Sequence, residues 1–198
     1  MIAIIDYGAG NLKSVENALR YLGINPKITS DPEEIEKAEK LILPGVGSFG
    51  FMMKSLEERG LDKAIKQFIK SGKPFLGICL GLQALFEKSE ESPGVKGLGI
   101  FKGEVVRFSK GKVPQIGWNK IMPVKEISAK NNIFQECYVY FVNSFYVVPE
   151  QKEIIALTTD YNKLFVSAIL YENVTAVQFH PEKSGEFGLE ILRRWSKC

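Results

Sequence analysis

Apolar and polar residues along the first half of the chain follow two alternating patterns. Short apolar runs at 1–5, 26–29, 41–43 and 75–78 predict buried strands. The segments between these runs have apolar residues at three- and four-residue spacing, which is typical of helices that cover one face of a sheet. Strands that alternate with helices in this way predict βαβ units, right-handed crossovers and a mainly parallel sheet.

The pattern changes after Pro93. Short strand-like runs follow one another with turn residues between them, at 103–108, 115–122, 138–148, 153–159, 165–171 and 174–179. An amphipathic helix is predicted over 184–195. Because no linker, repeat or low-complexity tract separates the halves, we predict a single α/β domain over 1–198, in which a mainly parallel twisted sheet flanked by helices has a β-rich second half.

The stretch from Lys73 to Phe86 joins a buried strand directly to a predicted helix. Cys79 stands at the junction, with Gly77 two residues before it and Gly81 two residues after it. This is the Gly-x-nucleophile-x-Gly pattern of a nucleophile elbow, with Cys in the place of Ser. A helix that starts there would favour the thiolate. A small buried apolar residue is the alternative interpretation of Cys79, and this stretch alone does not decide between them.

His180 is the one histidine of the chain, so it is the only candidate for a histidine base serving Cys79. It follows an apolar strand and precedes Pro181, which keeps the backbone extended. Glu182, two residues on, can then point to the same side and orient the imidazole, as in a nucleophile–base–orienter triad. A lone histidine is more often structural, but together with the elbow this spacing favours catalysis. A zinc site is not expected, because one histidine and three scattered cysteines lack ligand spacing.

A glycine-rich turn follows the third predicted strand, with glycines at Gly45, Gly47 and Gly50. It matches the Gly-x-Gly-x-x-Gly pattern of dinucleotide sites, but the acidic residue required after the next strand is missing. A backbone N–H from Gly45-Val46-Gly47, with the N–H of Leu80, could instead hold an oxyanion. A tight turn without chemistry is the alternative.

Composition and charge narrow the function classes. The net charge is +3 and the charges are interleaved, so we expect neither a nucleic-acid nor a membrane partner. Three widely spaced cysteines form no disulfide framework, and the N-terminus lacks the features of a signal peptide. We therefore expect a cytoplasmic protein.

Taken together, these motifs resemble those of the class I (triad) glutamine amidotransferases. The resemblance rests on Gly77-Ile-Cys79-Leu-Gly-Leu-Gln83, Pro44-Gly-Val-Gly47 and His180-Pro-Glu182. Asp6-Tyr-Gly-Ala-Gly-Asn-Leu12, Gly94-Val-Lys-Gly-Leu98, Gly117-Trp-Asn119 and Tyr140-Phe-Val142 further resemble the glutaminase subunits of imidazole glycerol phosphate synthases, nearly end to end.

The resemblance implies a flavodoxin-like amidotransferase fold and a role for each matching residue. Cys79 would attack the side-chain amide of L-glutamine, His180 would protonate the departing ammonia, and Glu182 would orient His180. Further positions match the oxyanion-hole region and the glutamine-binding residues: Gly45, Val46, Gly47, Leu80, Gln83, Ser144 and Phe145. No cofactor or metal is implied.

The resemblance also implies a partner, because members of this family form heterodimers with a (βα)8-barrel cyclase. The cyclase uses the ammonia to make imidazole glycerol phosphate and an aminoimidazole carboxamide ribotide in L-histidine biosynthesis. Asn11, Trp118, Asn119 and Tyr140 match positions expected near the interface and the ammonia passage.

The chain departs from the family pattern at Asn143, where a histidine is usual in Phe-Val-His-Ser-Tyr. This departure keeps open the glutaminase subunit of a paralogous amidotransferase that amidinates a surface-polysaccharide sugar. Two further alternatives do not depend on it. They are an inactive partner-binding module, which the intact triad disfavours, and a cysteine peptidase.

Overall fold

The computed structural model describes residues 1–124 and 133–198, whose strands form one twelve-stranded sheet. The strands are β1 (Ile2–Ile5), β2 (Lys27–Thr29), β3 (Lys40–Gly45), β4 (Phe75–Cys79), β5 (Lys88–Ser89), β6 (Gly103–Arg107), β7 (Gln115–Pro123), β8 (Cys137–Asn143), β9 (Phe145–Pro149), β10 (Ile155–Asp160), β11 (Leu164–Tyr171) and β12 (Val174–Val177). The helices are α1 (Leu12–Tyr21), α2 (Pro32–Lys37), α3 (Phe49–Glu58), α4 (Leu61–Lys70), α5 (Leu80–Gln83) and α6 (Gly185–Ser196), with 3₁₀ turns at Lys152–Ile154 and Pro181–Lys183.

One half of the sheet is parallel, in the order β2-β1-β3-β4-β12. β1, β4 and β12 are buried along their whole length, as expected for strands covered on both faces. The apolar faces of α2, α3 and α4 belong to the core on one side of the sheet, whereas those of α1 and α6 belong to the core on the other. The carboxyl ends of β3, β4 and β12 therefore meet at one edge, where ligands bind in such sheets.

The other half is antiparallel except for the short parallel pairing of β5 with β6. β11, β10, β7 and β8 continue the sheet beyond β12, and β9 joins β11 to β6. The predicted fold class is thus confirmed, with the parallel pairing concentrated in the half that contains β4. No helix of the described residues is long and apolar enough to cross a membrane.

The structure corrects one predicted element, because the helix after Cys79 ends after a single turn at Gln83. The carbonyls of Ala84, Leu85 and Phe86 accept hydrogen bonds from residues 98–101 instead of from a next helical turn. These pairings hold the returning segment against the elbow. Hydrogen bonds to a distant part of the backbone therefore override the local helix propensity of this segment.

A second difference concerns the aromatic run predicted as one strand over 138–148. Ser144 divides it into β8 and β9, and its carbonyl accepts a hydrogen bond from the N–H of Phe108. Of the aromatic side chains in this run, Phe141 and Tyr146 lie in the core, whereas Tyr138 is exposed. The break at Ser144 faces the edge of the sheet where β4 ends.

Candidate active site

The elbow places Cys79 at the carboxyl end of β4 in a strained conformation, with φ 55° and ψ −107°. This turn requires glycine at positions 77 and 81, because neither position has room for a side chain. A Cβ on Gly81 would overlap the carbonyl oxygen of Leu43, and one on Gly77 would come within 2.8 Å of the carbonyl oxygen of Gly81. α5 has only four residues and donates no hydrogen bond to the Cys79 side chain, so the long helix dipole expected beside the thiol is not formed.

The predicted base and its orienting carboxylate lie beside Cys79 because β12 is the parallel neighbour of β4, with Val177 opposite Ile78. The backbone N–H of His180 donates to the carbonyl of Tyr140 at 2.9 Å, which fixes the chain after the strand. His180 Nδ1 and Glu182 Oε1 are 2.9 Å apart, and both side chains are almost fully buried. The Cys79 side chain lies on the same cavity wall as His180 and interacts with the imidazole. The structure thus brings all three predicted triad residues together.

The charge of the imidazole follows from these two neighbours. Burial by itself lowers the pKa of His180, but the hydrogen bonds to Cys79 and Glu182 raise it to about 10. The ring is therefore cationic at neutral pH and donates from both nitrogens. A cationic group therefore lies beside the Cys79 sulfur, the predicted nucleophile.

This shift predicts a pH dependence of stability. The ordinary pKa of His180 is 6.5 and the folded value is about 10, so the stabilisation is complete below about pH 6.5 and is lost as the pH rises through about 10. We expect the wild-type advantage in the free energy of unfolding over His180→Gln to shrink by about 5 kcal/mol across this range. Urea unfolding of both proteins at several pH values measures it. Parallel pH curves would contradict the cationic imidazole.

The predicted oxyanion segment follows β3, whose last residue, Gly45, pairs with Cys79. The buried hydroxyl of Tyr7 donates to the carbonyl of Val46 at 3.0 Å and accepts from its N–H at 3.1 Å. Since the C=O and N–H of a trans peptide point in opposite directions, the N–H of Gly47 points away from Tyr7. The N–H and the carbonyl of Val46 thus both hydrogen-bond to Tyr7. The N–H groups of Gly47 and Leu80 remain as donors for an oxyanion.

A cavity of about 310 Å³ opens in front of Cys79 and His180. Six of the seven predicted oxyanion and substrate residues line this cavity, and Gly45 does not. The six are Val46, Gly47, Leu80, Gln83, Ser144 and Phe145. The side-chain N–H₂ group of Gln83 donates to the carbonyl of Phe145 at 3.2 Å and to Gln178 Oε1 at 3.1 Å. Both N–H bonds are therefore committed within the protein, and the carbonyl oxygen of Gln83 is left for a ligand.

Three further residues of this site were not predicted from the sequence. Glu91 and Lys183 line the cavity, and Gln178 Nε2 donates to Cys79 Sγ at 3.6 Å. Glu91 also accepts from the N–H of Phe49 at 2.7 Å, at the start of α3. Lys183 and Gln178 flank the triad motif in the sequence, which is a signal that could have found them. Glu91 lies in an acidic loop with no such signal.

The residues predicted near a partner interface do not all share one surface. Trp118 is 56% exposed and packs edge-on against Tyr140, with ring centroids 6.1 Å apart, on the outer face of β7 and β8. Asn119 lies on the opposite face, where its side-chain N–H₂ group donates to the carbonyl of Asp160 at 2.8 Å. Asn11 precedes α1 and accepts at its carbonyl from the N–H of Ser14.

No group of three His, Cys, Asp or Glu side chains within residues 1–124 and 133–198 could hold a metal ion.

Cys137 is a second buried thiol, and burial raises its pKa to about 11. At neutral pH this thiol is protonated and unreactive.

Comparison with known proteins gives one consistent result. The family described as "Glutamine amidotransferase class-I" matches residues 3–197. The chain is 51% identical to the "Imidazole glycerol phosphate synthase subunit HisH" of Pyrococcus furiosus over 99% of this chain and 98% of that one. It is 48% identical to the protein of the same name from Aquifex aeolicus, over 98% and 95%.

Solved structures share the fold at lower sequence identity. A glutamine amidotransferase crystal structure aligns with a TM-score of 0.79 at 18% identity, over 100% of this chain and 98% of that one. The PurLQS structure from Thermotoga maritima aligns with a TM-score of 0.78 at 20% identity, over 99% and 97%.

Proposed function

The chain belongs to the class I glutamine amidotransferases, and from this membership we propose that it is the glutaminase subunit of an imidazole glycerol phosphate synthase. In this role it hydrolyses L-glutamine with a Cys79–His180–Glu182 triad and passes ammonia to a (βα)8-barrel cyclase subunit in L-histidine biosynthesis. The observation that carries the proposal is the contact of the strained Cys79 with a buried His180–Glu182 pair at the mouth of the cavity. The relatives at 48–51% identity support this synthase over the polysaccharide alternative.

The chemistry follows from the charges of the triad. The sulfur of Cys79 attacks the carboxamide carbon of glutamine, and the N–H groups of Gly47 and Leu80 stabilise the oxyanion. His180 transfers its proton to the nitrogen, the C–N bond breaks, and ammonia leaves a glutamyl thioester. His180 then takes a proton from water, whose oxygen attacks the thioester; the C–S bond breaks, glutamate leaves and the thiolate is restored. Glu182 keeps the imidazole oriented throughout.

The cavity also offers a site for the amino-acid end of glutamine. The free carbonyl oxygen of Gln83 and the carboxylate of Glu91 are acceptors for the α-ammonium group. The backbone around Ser144 and Phe145, where the chain passes between two strands, is placed to bind the α-carboxylate. Glu91 thereby adds a charged contact that the predicted set of residues lacked.

Glutamate release by the purified chain, with and without an imidazole glycerol phosphate cyclase and its ribotide substrate, tests the proposal. Strong stimulation by both together is the expected result. Unstimulated hydrolysis that still depends on Cys79 would instead indicate the polysaccharide paralogue. No hydrolysis in either condition would contradict a glutaminase and favour the inactive binding module.

The exposed face of β7 and β8 is the surface proposed for the cyclase. Ile116, Trp118 and Tyr138 are each more than half exposed there, next to the strand whose Val142 carbonyl is 3.8 Å from Cys79 Sγ. Aromatic residues of this kind dominate protein interfaces. The face adjoins the site from which ammonia must leave.

Trp118→Ala should therefore weaken binding of the cyclase about 30-fold, because truncation of a central aromatic anchor costs about 2 kcal/mol. Titration of the cyclase, monitored by the stimulated rate of glutamate release, measures this. Tyr171→Ala is the matched control. Tyr171 is also exposed, but it pairs with Val174 at the opposite end of β12. Equal effects of the two substitutions would remove this face as the interface.

A further inference from the structure

Gln178 is fully buried two residues before His180, and it contacts the nucleophile directly. Its Nε2 donates to Cys79 Sγ at 3.6 Å. Its Oε1 accepts from Gln83 Nε2 at 3.1 Å, and its backbone N–H donates to the carbonyl of Ser167 at 2.8 Å. The side chain thus lies between the sulfur and a residue of the substrate cavity.

The orientation of the Gln178 amide follows from its neighbours. Gln83 donates one N–H to the carbonyl of Phe145, which can only accept, and the other N–H to Gln178. Gln178 must therefore present its oxygen to Gln83 and its N–H₂ group to the sulfur. A reversed amide would place two N–H₂ groups against each other and an oxygen against the sulfur.

A neutral N–H donor stabilises an anionic sulfur more than a neutral thiol, and the effect is greater in a buried site where water cannot compete. His180 loses its donor during the reaction, because it transfers its proton to the departing ammonia. Gln178 supplies one that stays through the whole cycle. The two donors belong to residues two positions apart, on the bend that follows β12.

We propose that Gln178 is a further catalytic residue, whose side-chain N–H holds the Cys79 sulfur as an oriented thiolate, with Gln83 fixing the direction of that donor. The inference rests on the proposed glutaminase function and adds to the triad a donor that the reaction does not consume. It also gives Gln83 a second task besides substrate binding.

Alkylation of Cys79 by iodoacetamide as a function of pH tests this directly. The variants are made in a Cys198→Ser background, because Cys198 is the exposed thiol and buried Cys137 is protonated at neutral pH. For Gln178→Met, which keeps the length but removes the donor, we expect the pH midpoint of alkylation to rise by about one unit, with about tenfold slower alkylation at neutral pH. Gln178→Glu should raise it further, since a carboxylate repels the anionic sulfur.

Gln83→Glu provides an independent test of the direction of the donor. A carboxylate at 83 cannot donate to Gln178 Oε1, so the Gln178 amide should reverse and the alkylation midpoint should again rise. Gln115→Met is the control, because Gln115 is an equally buried amide outside the cavity. Its alkylation profile should match that of the parent.

The steady-state assay is done on the complex with the cyclase. There, Gln178→Met should lower kcat about tenfold or more with little change in KM, as expected for loss of a contact to the reacting atom. Thermal unfolding of each variant identifies a loss of structure, and Gln178→Asn serves as a smaller change if Gln178→Met does not fold. A lowered melting temperature with an unshifted alkylation profile would show a structural role only and overturn the inference. Lack of glutamine hydrolysis by the parent complex would instead overturn the proposed function.

Discussion

Cys79→Ala should abolish glutamate release from glutamine, with a loss of at least about 10⁴-fold in kcat. The loss is this large because alanine removes the only atom that can form the glutamyl thioester, and the cavity, His180 and Glu182 cannot replace it. The substitution removes one buried sulfur and leaves the adjacent glycines in place. Glutamate release in the presence of the cyclase and its ribotide is the measurement, and thermal unfolding verifies the fold.

Cys137→Ala is the control for this experiment. Cys137 is also a free, buried cysteine, but it lies at the start of β8, and burial raises its pKa to about 11. Its replacement should leave kcat within about twofold of the wild type, since it contacts no reacting group. Glutamine turnover retained by Cys79→Ala would eliminate the triad mechanism.

Gly81→Ala should destabilise the protein by about 3 kcal/mol or more, the upper end for overpacking a rigid core. The added methyl group would overlap the carbonyl oxygen of Leu43, which is backbone of β3 and cannot rotate away. Relief of this overlap requires β3, β4 or α5 to move, and each of these holds one wall of the active site. We therefore expect the glutaminase rate to fall together with stability, as measured by urea unfolding and glutamate release.

Gly23→Ala separates the overlap from backbone strain. Gly23 has a φ of +79°, and no atom lies within 4 Å of the position of an added Cβ. Alanine should therefore cost only the strain of a left-handed conformation, about 1 kcal/mol. Equal losses at the two positions would contradict the close packing of the elbow as the reason for Gly81.

The residues that the structure brings together around Cys79 could be predicted from the sequence because they belong to local patterns. The glycines on either side of Cys79 and the two-residue spacing of His180 and Glu182 are both visible in short windows. The parallel half of the sheet was predictable for the same reason, because each strand is a compact apolar run. These features depend on neighbours in sequence.

The parts that escaped prediction depend on distant residues. The helix after Cys79 was predicted too long, because its later carbonyls pair with residues 98–101, which local propensity does not register. Glu91 reaches the cavity through its bond to the N–H of Phe49, 42 residues away in sequence. The single aromatic run over 138–148 hid the break at Ser144, since β8 and β9 are both rich in the aromatic and β-branched residues that favour strands.

The pairing of β12 with β4 also determines when the protein becomes reactive during its synthesis. Gln178 and Cys79 are 99 residues apart in sequence, and His180 lies still further along. A growing chain therefore carries Cys79 long before His180 and Gln178 have been synthesised. A nascent chain that ends before β12 should therefore be inert toward glutamine.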